Sequence, residues 1–204
     1  MRKPLKIALI ALAFLHTFAS FAEGPRLRYG IDWGYNAKAF GESEYTYLTD
    51  IGYRVSDGEP LHPDYYTNAF VSADLGVEFL RYLALTTRVG YRGIFEGYRA
   101  FPAELQLAWF FKGYDAAGFF VCAGGGTAIT EGLAFDDNIN LISAGGGYRK
   151  NLGRKINMDG FIKVQHISCS PLPVDEYDGV IPRDRTVYSR STHISVDFGV
   201  ALYF

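Results

Sequence analysis

The chain has 204 residues, enough for one domain and short for two, with 20 basic residues against 22 acidic ones. A formal charge of −2 excludes a general nucleic-acid binder, which needs a basic stripe. Aromatic residues make up 16%, mostly Phe and Tyr, beside 23 Gly, a mix that suits strands and tight turns better than helices.

Arg2, Lys3 and Lys6 precede the apolar run Ile7 to Leu15, and the small residues Ser20 and Ala22 flank Phe21 at the positions a signal peptidase reads. Basic, apolar and cleavage regions in this order predict a secretory signal over 1–22 and a mature domain over 23–204. An uncleaved membrane helix is the alternative, but its apolar core is short for a hydrocarbon layer of about 30 Å. No Cys follows the cleavage position, so no lipid anchor is expected there. Cleavage leaves 17 basic and 22 acidic residues, a net charge of −5.

Alternation of period two then dominates. Leu27, Tyr29, Ile31, Trp33 and Tyr35 share one face, with Arg28, Gly30, Asp32, Gly34 and Asn36 on the other. Residues 37–67 lose the pattern and read as a long loop, with a strand-like fragment from Tyr45 to Val55. Alternation returns at Ala69 to Phe79, at Leu83 to Tyr91 and at Ala103 to Phe111. Two Gly-rich strands, near 118–129 and 138–148, have ambiguous facing, and Ile156 to Val164 alternates again. A long segment over 169–187 precedes the last strand, His193 to Phe204, in which Ile194, Val196, Phe198, Val200, Leu202 and Phe204 form one apolar face.

About eight strands result, with short turns near 81, 115 and 152 alternating with longer loops. The terminal alternating strand ending on Phe204 resembles the closing strand of bacterial outer-membrane β-barrels. With the signal and the aromatic apolar face, the mature chain resembles the small eight-stranded outer-membrane barrels of Gram-negative bacteria. That resemblance implies an all-β fold, a transmembrane antiparallel β-barrel in the outer membrane. The competing fold is a soluble antiparallel barrel or sandwich, with the apolar face inward and the charges in water.

In the membrane version the polar face lines the lumen. It carries Arg28, Arg88, Arg92, Lys112 and Lys163 against Asp32, Asp74, Glu78, Glu104, Asp159 and Asp197. Eight strands leave an interior that side chains fill. Unpaired buried charge costs several kcal/mol, so a salt-bridged, plugged interior is expected over an open pore.

One strand breaks the apolar pattern. Continuing the phase of Ile156 to Val164 puts His166 and Ser168 on the outward face, roughly 7 Å apart along the strand. A His at that spacing can act as general base to a Ser hydroxyl. The triplet resembles that of the outer-membrane lipid A deacylases, which carry His-x-Ser on the penultimate strand. That resemblance implies His166 as base, Ser168 as nucleophile and an acyl ester of lipopolysaccharide as substrate. Two positions depart from it: Cys169 stands where the family has an Asn implicated in the oxyanion hole, and no acid occupies the outward face of the last strand. The bland alternative places His166 among headgroups, since it is the eleventh residue from Ile156 and a spanning strand takes about nine to eleven. A second His-Ile-Ser, at 193–195, has the opposite phase and points inward.

Three functions remain open. The first is a non-enzymatic barrel presenting loops 37–67 and 169–187 for binding or envelope integrity. The second is a serine ester hydrolase working through His166 and Ser168, and the third is a narrow channel. Expected partners are outer-membrane lipid, lipopolysaccharide and an extracellular ligand at those loops. No nucleic acid and no cofactor are expected; Cys122 and Cys169, 47 positions apart, form neither a metal-binding pair nor a disulfide framework readable from spacing.

Overall fold

The computed structural model describes residues 25–79, 81–95, 98–130, 139–153, 156–175 and 179–204. The expected signal segment and most of the stretch between the two expected Gly-rich strands lie outside them. Seven strands follow in chain order: β1 Arg26–Leu48, β2 Arg54–Phe79, β3 Leu83–Phe95, β4 Tyr98–Phe110, β5 Gly118–Thr130, β6 Ile139–Asn151 and β7 Asn157–Cys169. A two-residue ribbon, β8 Val174–Asp175 and β9 Gly179–Val180, precedes a 3-10 turn at Arg183–Arg185 and the last strand, β10 Thr186–Tyr203.

Strands β1 to β7 and β10 form a closed barrel in which each neighbour pair is antiparallel and β10 returns to β1. The closing register runs from Gly30 opposite Tyr203 to Tyr47 opposite Thr186. Closure removes the free edges that lipid cannot solvate.

The facing follows from the side chains. Outward stand Leu27, Tyr29, Ile31, Trp33, Tyr35, Leu75, Leu105, Leu107, Trp109, Ile162 and Phe198, all substantially exposed. Arg28, Asp32, Asp74, Arg88, Arg92, Glu104, Asp159, Lys163 and Asp197 are buried. An apolar exterior around a charged interior is the reverse of a soluble barrel, and the fold is an eight-stranded transmembrane barrel of the outer-membrane type.

The apolar band has clear borders. On β10 it runs from Leu202 to Ile194 and ends at Thr192 and Arg190; on β1 it ends after Phe40, at Glu42 and Glu44. Eight residue steps span roughly 26 Å along the strand, about 20 Å once tilted, comparable to the expected band of ~25 Å. Aromatic pairs mark the end with the chain termini: Tyr29 stacks on Phe204 at 5.9 Å, Tyr82 on Trp109 at 6.1 Å, and Phe119 meets Tyr148 edge-on at 5.1 Å.

Three expectations need correction. Residues 37–67 are not a long loop, because β1 and β2 run on as a paired hairpin and only 49–53 form the turn. Register shifts at Lys38/Phe40 and Gly41/Ser43 flip the alternation there and hide it from a period-two reading. The last strand likewise begins at Thr186, inside the expected 169–187 loop. Finally, Lys112 lies exposed in the β4–β5 turn rather than in the lumen. Arg149 on β6 takes its place as the fifth interior cation, fully buried.

Candidate functional site

The lumen is filled in tiers by ion pairs reaching across the barrel. Nearest the termini, Arg149 grips Asp159 with two bonds of 2.6 Å, donates to the Tyr114 carbonyl at 3.0 Å and lies 3.4 Å from Glu78. Arg28 reaches the same Glu78 at 3.6 Å and stacks over the Tyr203 ring at 3.8 Å. In the middle, Arg88 Nε stands 2.8 Å from Asp32 and 3.0 Å from Asp74, while Nη1 donates to Gln106 at 3.0 Å. Tyr203 completes this tier by donating its hydroxyl to Asp74 at 2.6 Å. Above it, Arg92 pairs with Asp197 at 2.7 Å and donates to Gln165, and Asn36 donates to Ser195 at 2.8 Å and to Asp197.

The outer end of the lumen is apolar on one side, where Ala100, Ala128, Ile139, Leu141, Ile167 and Cys169 form a buried cluster. Beside Lys163, Arg88 and Tyr203 a cavity of about 10 Å³ remains, the room of one water. Lys163 Nζ, with no hydrogen-bond partner among the described residues, lies 4.8 Å from the Phe161 ring. Cys122 and Cys169 are free, buried thiols in separate clusters.

His166 and Ser168 both face outward on β7, on one face of one strand. His166 stands between Ile142 of β6 and Ile194 of β10, and Ser168 between Asn140 and Thr192. No acid faces outward on either flanking strand at these registers. The register shift at Lys38/Phe40 does bring Phe40 opposite Ile194 and Glu42 opposite Thr192. Glu42 is thus the acid of that row, two strands and roughly 10 Å from Ser168. The same row closes the apolar band, so His166 and Ser168 sit at its outer border. The second triplet is inward: His193 and Ser195 are buried, and His193 Nε2 hydrogen-bonds with the Ser191 hydroxyl at 2.7 Å.

A third candidate surface stands beyond the rim. β3 to β7 have 13 residues each, whereas β1 has 23, β2 has 26 and β10 has 18. The three long neighbours continue as a blade, paired from Gly41 opposite His62 to Leu48 opposite Arg54 on one side of β1. Ile51, Tyr53, Leu61 and Tyr65 are exposed on it, and Arg185 pairs with Asp50 at its tip. The sequence offered Tyr45 to Val55 as a hint of it and nothing more.

Three solved structures are similar in outline. The outer membrane protein AlkL, solved by solid-state NMR in DMPC bilayers, shares 13% identity over 86% of this chain and 90% of its own, with a TM-score of 0.46. OprG from Pseudomonas aeruginosa shares 11% over 87% and 95%, with a TM-score of 0.41. Ail, the attachment invasion locus protein of Yersinia pestis, solved with the heparin analogue sucrose octasulfate, shares 12% over 85% and 99%, with a TM-score of 0.31. No family model and no curated protein matches the sequence.

The interior tiers make a direct expectation. Arg88→Met leaves Asp32 and Asp74 facing each other without their cation and lowers unfolding stability by about 3–5 kcal/mol. Urea titration of the refolded barrel in lipid vesicles, read by the heat-dependent gel shift, measures it. Adding Asp74→Asn to Arg88→Met recovers part of the loss.

Proposed function

We propose that the protein is a non-conducting barrel in the outer membrane of a Gram-negative bacterium, presenting the β1–β2–β10 blade as an extracellular binding surface. The observation that carries this reading is the blade itself. Three strands keep their hydrogen-bonded pairing past the band that lipid requires, and large side chains stand exposed on them. Pairing holds those side chains in place before a ligand arrives, which lowers the ordering cost of binding. The charged lumen supports the same reading, because four buried arginines are held against buried acids and the cavity beside Lys163 has the room of one water.

The register defines a clean truncation. Glu44 stands opposite Gly58, so replacing residues Tyr45 to Asp57 with an Asn-Gly turn shortens the blade without disturbing the barrel. The shortened barrel is expected to insert and to show the gel shift, but to lose the signal that intact barrel gives on arrays of extracellular-matrix proteins and glycans. Equal signals from the two, or none from the intact barrel, reject the blade as a binding surface. In planar bilayers both proteins are expected to be silent, and a discrete steady conductance rejects the closed lumen.

A second reading, a serine ester hydrolase acting on lipid A at the outer leaflet, is favoured by one observation: His166 and Ser168 share the outward face at the border of the apolar band. Asn140, opposite Ser168, offers an amide donor that Cys169 does not. On this reading His166 takes the Ser168 hydroxyl proton as Oγ attacks the ester carbonyl. Purified barrel incubated with lipopolysaccharide then releases fatty acid, and Ser168→Ala abolishes release with the gel shift unchanged. Absence of release by the unmodified barrel rejects it.

A further inference from the structure

Above the rim the blade is a three-stranded sheet with two outer edges, and among the described residues only one of them has a neighbour. β10 parts from β7 beyond Ser191, but its own preceding segment returns along it: Thr186 donates to the Pro182 carbonyl at 3.1 Å, and Ser189 donates to that of Pro171. β2 parts from β3 beyond Phe70, and from Arg54 to Glu59 it pairs with β1 alone. Every second residue of such an edge turns its N–H and C=O away from the sheet, a template for one more strand. Pro60 and Pro63 have no N–H to donate and end the template toward the barrel. The open stretch is exposed throughout except at half-buried Val55.

Register gives this edge two different faces. Ser43 stands opposite the inward Ser191 on one side and Glu59 on the other. Val55, Asp57 and Glu59 therefore lie on the face that continues the lumen wall, beside Tyr47, Tyr45 and Ser43 of β1, and Arg54 lies on the opposite face. Tyr45 donates its hydroxyl to Asp57 at 3.3 Å, and its ring stands 6.3 Å from that of Tyr47.

Charge is unevenly placed across the blade. Between residues 41 and 63 stand Glu42, Glu44, Asp50, Asp57 and Glu59 against Arg54. Toward β10 the acids find cations, since Arg185 pairs with Asp50 and Arg190 stands opposite Glu44. On β2 they do not. Glu59 has His62 at 3.6 Å, and Asp57 meets no cation among the described residues. Two carboxylates at alternate positions thus stand along the one strand whose backbone edge is open.

We infer that the edge from Arg54 to Glu59 docks an extended basic segment of a partner protein, which adds to the blade as a further strand. Backbone pairing holds the segment, and Lys or Arg at alternate positions stand about 5 Å across from Asp57 and Glu59. The next position in that row meets Val55 and takes an apolar side chain. An acidic or sulfated partner would set like charges directly opposite each other, which is unfavourable. This inference rests on the blade being a binding surface and names the chemistry it takes.

The test uses the full barrel, refolded in nanodiscs of neutral lipid, with short fluorescent peptides read by anisotropy. A peptide alternating Thr and Lys should bind about tenfold more tightly than one alternating Thr and Glu, the contribution of two exposed ion pairs. The Thr–Lys peptide methylated at every backbone nitrogen keeps its charges, cannot pair as a strand, and should not bind. Asp57→Asn with Glu59→Gln should lose the preference and keep the gel shift. Equal binding of the methylated peptide, or an unchanged preference in the double variant, overturns the proposal. A blade-dependent array signal without any binding of the Thr–Lys peptide overturns this inference alone and leaves the blade as a binding surface. Barrel dimers that the Thr–Lys peptide dissolves also overturn it, by assigning the edge to a second copy.

Discussion

Everything in this molecule depends on one requirement: in hydrocarbon, each backbone N–H and C=O must be paired within the protein. A sheet meets it only by closing, and closure at eight strands is what the pairing of β10 with β1 accomplishes. Closure then dictates the interior. Inward side chains from eight strands converge on a space they fill themselves, so every polar group sent inward must find its partner across the barrel. Arg88 illustrates the outcome. Its guanidinium gathers Asp32 from β1, Asp74 from β2 and Gln106 from β4, so one cation joins three strands besides its own.

A lumen bound in this way is costly to open. Parting Arg149 from Asp159, or Arg92 from Asp197, leaves buried charges without their partners. Burying ions is itself expensive, and pairs of this kind contribute little against an apolar core of the same volume. Their value here lies in register. A one-residue slip of any strand sends its charges into lipid and its aromatics into the lumen, which no neighbour accommodates. The ion tiers act as a lock on strand phase.

The facing of the barrel was legible wherever bulky and charged residues alternate. β1 up to Asn36, β2 beyond Ala69, β3, β4, β7 and the end of β10 all have the phase their sequences announce. The Gly-rich strands did not announce theirs. Along β6 the inward set is Ser143, Gly145, Gly147 and Arg149, and the outward set includes Ala144 and Gly146, so size says little until Tyr148 and Arg149 are read together. That is why the sequence hides Arg149, and why Lys112, two residues past the end of its strand, reads as a lumen cation. Bulges obscure more. A single extra residue near Ala39 reverses the parity of β1, turns Glu42 outward beside Thr192 and makes a paired hairpin look like a loop. Above the lipid there is no apolar selection to restore the pattern.

The same glycines that blurred the reading give the wall its relief. Gly147 is inward, and the Phe120 ring fills its place, 2.7 Å from where a Cβ would stand. Gly145 is inward too, with the Ile162 carbonyl and Lys163 pressed against it. Bulk inside thus demands smallness on β6, and the strand supplies it on both faces, with Gly146 and Ala144 outward. The shallow outer wall along β6 is in part the imprint of a crowded interior. Gly160 does not follow from that crowding, because space around it is open and a larger residue would fit. An outward glycine that packing does not require, set beside one that it does, lowers the wall across two adjacent strands.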